Sequence, residues 1–295
     1  MPHQQAKKPT TVIFLHIPKT AGTTLDQIIF RHYRRREIYG TGLVAQEGVK
    51  TFQNMDEARR QKYRLIKGHL SFGFHQFVPG PWTYFTFFRH PIKRTLSHLY
   101  YIQRAPKHPL YHLIKEKKMD LKQCLEAGLD PMLHNGHTRL LSGVWAEARA
   151  GTCNVEDLEK AKANLKQVKV IGLTEQFDAS LLMLGKAFGW NNLFYTKKNV
   201  TAGRPTIETL SPENLEAVQA ANQLDMELYN FAETLFAKQI EQQGPAFANE
   251  VIRFQARNRY LRPAQDLYWE MRKISVRTFI RQQIAQIRQK YDQAN

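Results

Sequence analysis

Residues 11–15 (TVIFL) form an unbroken β-branched and aromatic run, the kind that is buried on both faces of a sheet. The chain then passes through HIPKTAGTT, a loop of small residues with one glycine, into Leu25, Ile28 and Ile29 at helical spacing. Strand, glycine-containing loop and helix make the opening of a βα unit, and no other feature restricts the fold as strongly. Two further segments repeat the theme. Residues 82–88 (WTYFTFF) follow the turn Pro79-Gly80-Pro81, end in Arg89-His90-Pro91 and lead into a helix expected from Ile92 to Gln103. Residues 168–173 (VKVIGL) lead through Thr174-Glu175 into a helix carrying Phe177, Leu181, Leu182 and Leu184. Strands alternating with helices specify an α/β fold with a central, mainly parallel sheet flanked by helices. Ligands in such folds sit beyond the carboxyl ends of the strands, where both HIPKTAGTT and FRHP fall.

The rest of the chain reads as helical. Residues 105–150 are helical but irregular. Ser211-Pro212-Glu213 starts one long helix through Leu215, Val218, Leu224, Leu228 and Phe231, with Ser as cap and Pro at the first position. Gly244-Pro245 breaks the chain and divides a main domain, 1–245, from a C-terminal helical extension, 246–295, with Pro263 near a join. Arg253, Arg257, Arg272, Lys273, Arg277 and Arg281 make the extension basic, while Ile252, Leu261, Leu267, Trp269, Ile274 and Phe279 give it apolar surface. Packing on the core or contact between copies is the first expectation for it, and a peripheral seat on an anionic membrane the second.

The formal net charge of +17 raises the local concentration of anions such as nucleotides, acidic glycans or lipid headgroups, without choosing among them. Cys124 and Cys153 stand in no metal-ligand spacing and read as free thiols of a reducing compartment. No apolar run reaches the length of a membrane span, and the polar start of the chain has no signal-peptide core. The expectation is a cytoplasmic protein, with a chain separated from its anchor as the open alternative.

Three segments carry chemistry. Lys19-Thr20-Ala21-Gly22-Thr23-Thr24 feeds a helix N-terminus, whose free N–H groups and positive dipole end hold phosphate-like anions. It is not a P-loop of the kinase kind, because the lysine precedes the glycine by three residues. Arg89 ends a strand, and Ser97 lies eight residues on, two helical turns along, so a guanidinium fork and a hydroxyl can share one terminal phosphate. A structural ion pair is the competing role for Arg89. His69, in Lys67-Gly68-His69-Leu70-Ser71-Phe72, can accept a hydroxyl proton near neutral pH, although a lone histidine among 11 is more often structural.

Taken in this order, the segments resemble a known family. HIPKTAGTTL resembles the 5′-phosphosulfate loop of the sulfotransferases that use 3′-phosphoadenosine-5′-phosphosulfate (PAPS), and FFRHPIKRTLSHLY resembles their 3′-phosphate segment. With KGHLSF between them, the chain is similar to the carbohydrate branch that includes the heparan sulfate and uronosyl 2-O-sulfotransferases. The likeness continues through IGLTEQF, KKNVTAGRP and DMELY and covers about residues 11–235. His90 departs from it, standing where many members carry an acid before the proline.

The resemblance implies a P-loop-NTPase-like three-layer fold and in-line transfer of a sulfuryl group from PAPS to a hydroxyl, leaving 3′,5′-adenosine bisphosphate (PAP). It implies Lys19 at the leaving oxygen and His69 as general base. The 5′-phosphosulfate would lie on Thr20, Ala21, Gly22, Thr23 and Thr24, and the 3′-phosphate on Arg89 and Ser97, with Lys198 and Asn199 as further nucleotide contacts. Asn135, Thr138 and Arg139 in LHNGHTRLLSG serve either as nucleotide or acceptor contacts or as a helix start, and Arg34–Arg36 either line a groove for an acidic acceptor or are simply solvated. The implied partner is a sugar or other hydroxyl-bearing acceptor, neutral or anionic. Neither a metal nor a nucleic acid is expected. Of the rival readings, a P-loop kinase needs a lysine directly before Ser/Thr at the loop end, which is absent, and a nucleic-acid-binding module would need a motif beyond bare charge.

Overall fold

The structure is a computed structural model and describes residues 9–42, 45–144, 153–196 and 206–261. Its centre is a five-stranded, all-parallel sheet in the order β2-β3-β1-β4-β5. The strands are β1 (Thr11–Leu15), β2 (Ile38–Gly40), β3 (Leu65–Gly68), β4 (Trp82–Phe88) and β5 (Val168–Leu173). β1 takes the middle because all five of its residues are buried, as its unbroken apolar run requires. Phe14 stacks on Phe85 of β4 at 4.5 Å between ring centroids, and Thr86 donates its hydroxyl to the Leu15 carbonyl at 2.8 Å. That bond satisfies a hydroxyl with no exposed surface, and it ties the carboxyl ends of β1 and β4 together.

Helices flank the sheet. They are α1 (Gly22–His32), α2 (Ala45–Gln53), α3 (Glu57–Arg60), α4 (Pro91–Ile102), α5 (Tyr111–Glu116), α6 (Leu121–Glu126), α7 (Gly136–Ser142), α8 (Val155–Leu165), α9 (Phe177–Phe188), α10 (Pro212–Ala220) and α11 (Gln223–Glu241), and α1, α4, α7, α10 and α11 position the site. The main core wraps the sheet, and a smaller apolar cluster lies under the outer face of α4, around Ile92, Leu99, Ile114, Leu125 and Val218. Among the described residues, no helix is long and apolar enough to cross a membrane.

The expected strands at 11–15, 82–88 and 168–173 are present with those bounds. β2 and β3 were not anticipated. Each offers only one or two apolar residues, too few for a local pattern. The single helix expected from Ser211 is divided into α10 and α11. The break is at Asn222, whose fully buried amide donates to the carbonyls of Leu133 and Val218 and accepts from Arg94 and Thr95. Residues 247–261 are helical, and Phe247 and Phe254 enter the main core. Residues 262–295 lie outside the described residues.

Candidate active site

The loop after β1 is built by alternating backbone handedness. Lys19 (φ 71°) and Ala21 (φ 65°) both adopt the left-handed conformation, which non-glycine residues avoid at a cost of order 1–3 kcal/mol each. Between them, Thr20 is fully buried and donates its hydroxyl to the Ile17 carbonyl at 2.8 Å, which clamps the turn. The chain enters α1 with no side-chain cap, so the leading N–H groups and the positive dipole end are presented at the loop. Gly22 is required by packing. A Cβ there would sit 2.0 Å from Nε2 of His16, whose ring fills that space.

His16 also links the loop to β3. Its N–H extends the ladder to the Gly68 carbonyl at 3.0 Å, and its own carbonyl lies 2.8 Å from Nδ1 of His69. A carbonyl can only accept, so His69 carries its proton on Nδ1, and Nε2 of the neutral ring holds a lone pair. Burial pushes the His69 pKa below the ordinary imidazole value, and the nearby charges of His98 and Lys67 add to the effect against the bond to His16. His16 is driven further down by burial and by the charges of His69, Lys67 and Lys19. The two rings lie 4.7 Å apart. Lys67 is drawn into an ion pair with Asp26 of α1 at 2.7 Å.

Arg89, at the end of β4, reaches over the β1 loop and donates to the Lys19 carbonyl at 3.4 Å. The Lys19 ammonium lies 4.4 Å from the ring centroid of Tyr101 on α4. Ser97 is one turn before Tyr101 on that helix and is buried. Thus the residues expected at the nucleotide come from the carboxyl ends of adjacent strands and from α4. His90 caps α4, and its N–H donates to the Glu175 carboxylate at 3.0 Å, so an acid from the IGLTEQF segment sits at the helix end where His90 does not supply one.

Asn135 and Arg139 belong to a different constellation. Asn135 caps α7 in the left-handed conformation (φ 49°), and its side chain accepts the Asp225 N–H at 3.1 Å. Asp225 accepts from the N–H and Nδ1 of His137 (3.0 and 2.9 Å) and from the N–H and hydroxyl of Thr138 (2.8 and 2.9 Å), and Arg94 is 3.8 Å away. Arg139 is fully buried and donates Nε to the His134 carbonyl at 2.8 Å. This cluster joins α4, α7 and α11, and the His137 ring stacks on Phe88 at the end of β4 at 5.0 Å between centroids. Arg34, Arg35 and Arg36 are exposed. Lys198 and Asn199 lie outside the described residues. Reading the sequence gave no role to His16, although it opens HIPKTAGTTL, and it missed Thr41.

Thr41 lies at the end of β2 beside a cavity of about 320 Å³ lined by His16, Gly40, Thr41, Gly42, Lys67, Gly68 and His69.

Comparison with known proteins identifies a family. The galactose-3-O-sulfotransferase family model matches residues 1–270. The chain is 23% identical over 255 residues to galactose-3-O-sulfotransferase 2 of Mus musculus, which covers 78% of this chain and 63% of that protein. It is 24% identical over 270 residues to galactosylceramide sulfotransferase of Mus musculus (85% of this chain, 63% of that protein). To heparan-sulfate 6-O-sulfotransferase 2 of Gallus gallus it is 23% identical over 283 residues (78% and 68%). The chain therefore spans less than two thirds of the length of the two mouse relatives. These are carbohydrate and glycolipid sulfotransferases, the carbohydrate branch that the motifs indicated, here with galactose 3-O and heparan-sulfate 6-O names. By the match along nearly its whole length, the chain belongs to the galactose-3-O-sulfotransferase family.

Proposed function

We propose that this protein transfers a sulfuryl group from PAPS to a hydroxyl of a sugar or glycolipid, with His69 as general base. The observation that carries the reading is the state of His69. Its Nδ1–H is held by the His16 carbonyl, its ring is kept neutral by burial, and it stands at the end of β3 beside the anion loop of β1. Such a ring is ready to take a proton on Nε2, a contribution of order 10²–10⁴ in rate. As the acceptor oxygen bonds to sulfur, the bond from sulfur to the phosphate oxygen breaks, the hydroxyl proton passes to His69, and PAP leaves. Lys19 and the amides of residues 20–24 would offset charge gathering on the leaving phosphate, and Arg89 with Ser97 would hold the 3′-phosphate. The left-handed turns at Lys19 and Ala21 and the uncapped start of α1 support the loop's part in this.

Thermal unfolding with PAP, against ATP and 5′-AMP, tests the donor assignment. At about 100 times its dissociation constant PAP should add roughly 2.7 kcal/mol of stability. His69→Ala should keep that shift and lose transfer of labelled sulfate from PAPS. A shift with ATP alone, or none with PAP, removes the reading.

A further inference from the structure

We propose that the outer face of helix 247–261 is a seat for an anionic lipid surface. The helix has two faces. Phe247 and Phe254 turn inward and are buried in the main core. Ile252, Ala256 and Tyr260 follow one another at four-residue spacing on the opposite side, and all three are exposed. Tyr260, at 85%, is the most exposed large apolar side chain among the described residues, and Ile252 is 62% exposed. Single apolar residues on a surface are ordinary, but these two stand in one line along one helix.

Charge chooses the occupant. By helical geometry Arg253 and Arg257 flank the stripe on one side and Arg259 on the other, and all three are exposed. The helix holds one acid, Glu250, and that is paired with Lys186 of α9 at 2.9 Å. Among the described residues, none of the three arginines pairs with a carboxylate. The basic surface continues toward α1. The Arg257 guanidinium lies 5.5 Å from the ring centroid of Phe194, whose carbonyl accepts from Arg31. Beside Arg31, Phe30 is 46% exposed, with the Arg35 guanidinium 5.5 Å from its ring centroid. The sequence keeps the same bias past the helix: from residue 251 to the C-terminus, ten Lys and Arg stand against three Asp and Glu.

Shape separates a lipid surface from a protein partner. A stable protein interface takes about 800 Å² from each side, around anchors seated in pockets. The stripe offers two large side chains in a line, with guanidiniums on both margins. A bilayer asks for less. The apolar line enters the boundary between headgroups and acyl chains, the tyrosine hydroxyl stays at headgroup level, and the long arginine side chains reach outward to phosphates and carboxylates.

Co-sedimentation of the full chain with vesicles tests this. With phosphatidylcholine vesicles carrying about 30% phosphatidylserine, the protein should pellet at low salt, and removing the phosphatidylserine or raising NaCl from about 0.1 to 0.5 M should lower the partition coefficient about tenfold. Ile252→Glu with Tyr260→Glu should lower it about tenfold at an unchanged urea midpoint, since both side chains are in solvent. Should that pair fail to fold, Arg253→Gln with Arg259→Gln should give the same loss. No pelleting with the phosphatidylserine vesicles overturns the inference. So does equal partition of the folded variants, which would place the lipid contact on other residues, and so does equal binding to pure phosphatidylcholine at both salts. A dimer in analytical ultracentrifugation that Ile252→Glu with Tyr260→Glu splits, without vesicle binding, makes a second copy the occupant. Binding to duplex DNA at the same salt, with none to vesicles, makes the surface a nucleic-acid one; either result also overturns the inference.

Discussion

His69 shows how one hydrogen bond and one burial set a residue's chemistry. The His16 carbonyl selects the tautomer, and burial with neighbouring positive charge lowers the pKa. A base must be unprotonated to act, so its activity is lost as pH falls through its pKa. The acid limb of kcat/KM against pH should therefore lie below about 6.5, the ordinary imidazole value, with no loss between there and neutrality from this group. A limb centred above that value would remove His69 as the titrating base. The histidine could be singled out in the sequence because it follows a glycine in a segment with a family likeness. Thr41 carried no such mark, and His16, although it opens HIPKTAGTTL, was given no role, since the place of both in the site comes from what folds against them.

At the scale of elements, Asp225 is the joint between α7, α11 and α4. Burial alone would raise its carboxyl, but the charges of His137 and Arg94 and the bonds from His137 hold it far below the usual carboxylate range. A depressed folded pKa contributes stability that is present above the unfolded value of about 3.9 and is lost as pH falls further, through the folded value. Asp225→Ala leaves Arg94 buried without its carboxylate and should cost about 3–5 kcal/mol in urea unfolding at neutral pH. Its stability should also depend less on pH below about 4 than the wild type's. An unchanged midpoint would mean that the cluster is dispensable. The division of α10 from α11 belongs to the same scale. The Ser-Pro-Glu start was legible because capping is local, whereas the break at Asn222 depends on carbonyls 89 residues and 4 residues away.

For the molecule as a whole, the core runs past the expected boundary at Pro245. Phe247 is 2% exposed and Phe254 7%, and both join the cluster that surrounds the sheet. Lys186 pairs with Glu250 at 2.9 Å, and the Asn258 side chain accepts the Tyr195 N–H at 3.0 Å. Phe247→Ala should lower stability by about 3–5 kcal/mol, measured by urea denaturation, while the folded protein still gains stability from PAP. A loss below about 1 kcal/mol would show that this helix lies on the core without supporting it. A helix so rich in arginine reads from sequence as an appendage, because its few buried aromatic residues are diluted by the charged face.

What the sequence determined by itself is what depends on neighbours along the chain. An unbroken apolar run makes an inner strand, a glycine and small residues make a loop that can meet an anion, and a serine before proline starts a helix. The three longest strands, the parallel α/β class and the position of the β1 loop follow from that. The order of the strands was left to the tertiary structure. β3 enters between β2 and β1 by hydrogen bonds to segments some 25 to 50 residues away, and neither edge of its four-residue run announces them. That one placement sets His69 over His16 and brings Thr41 beside it. Contacts of this kind arise from shape and unsatisfied hydrogen bonds that exist only once the sheet has closed around them.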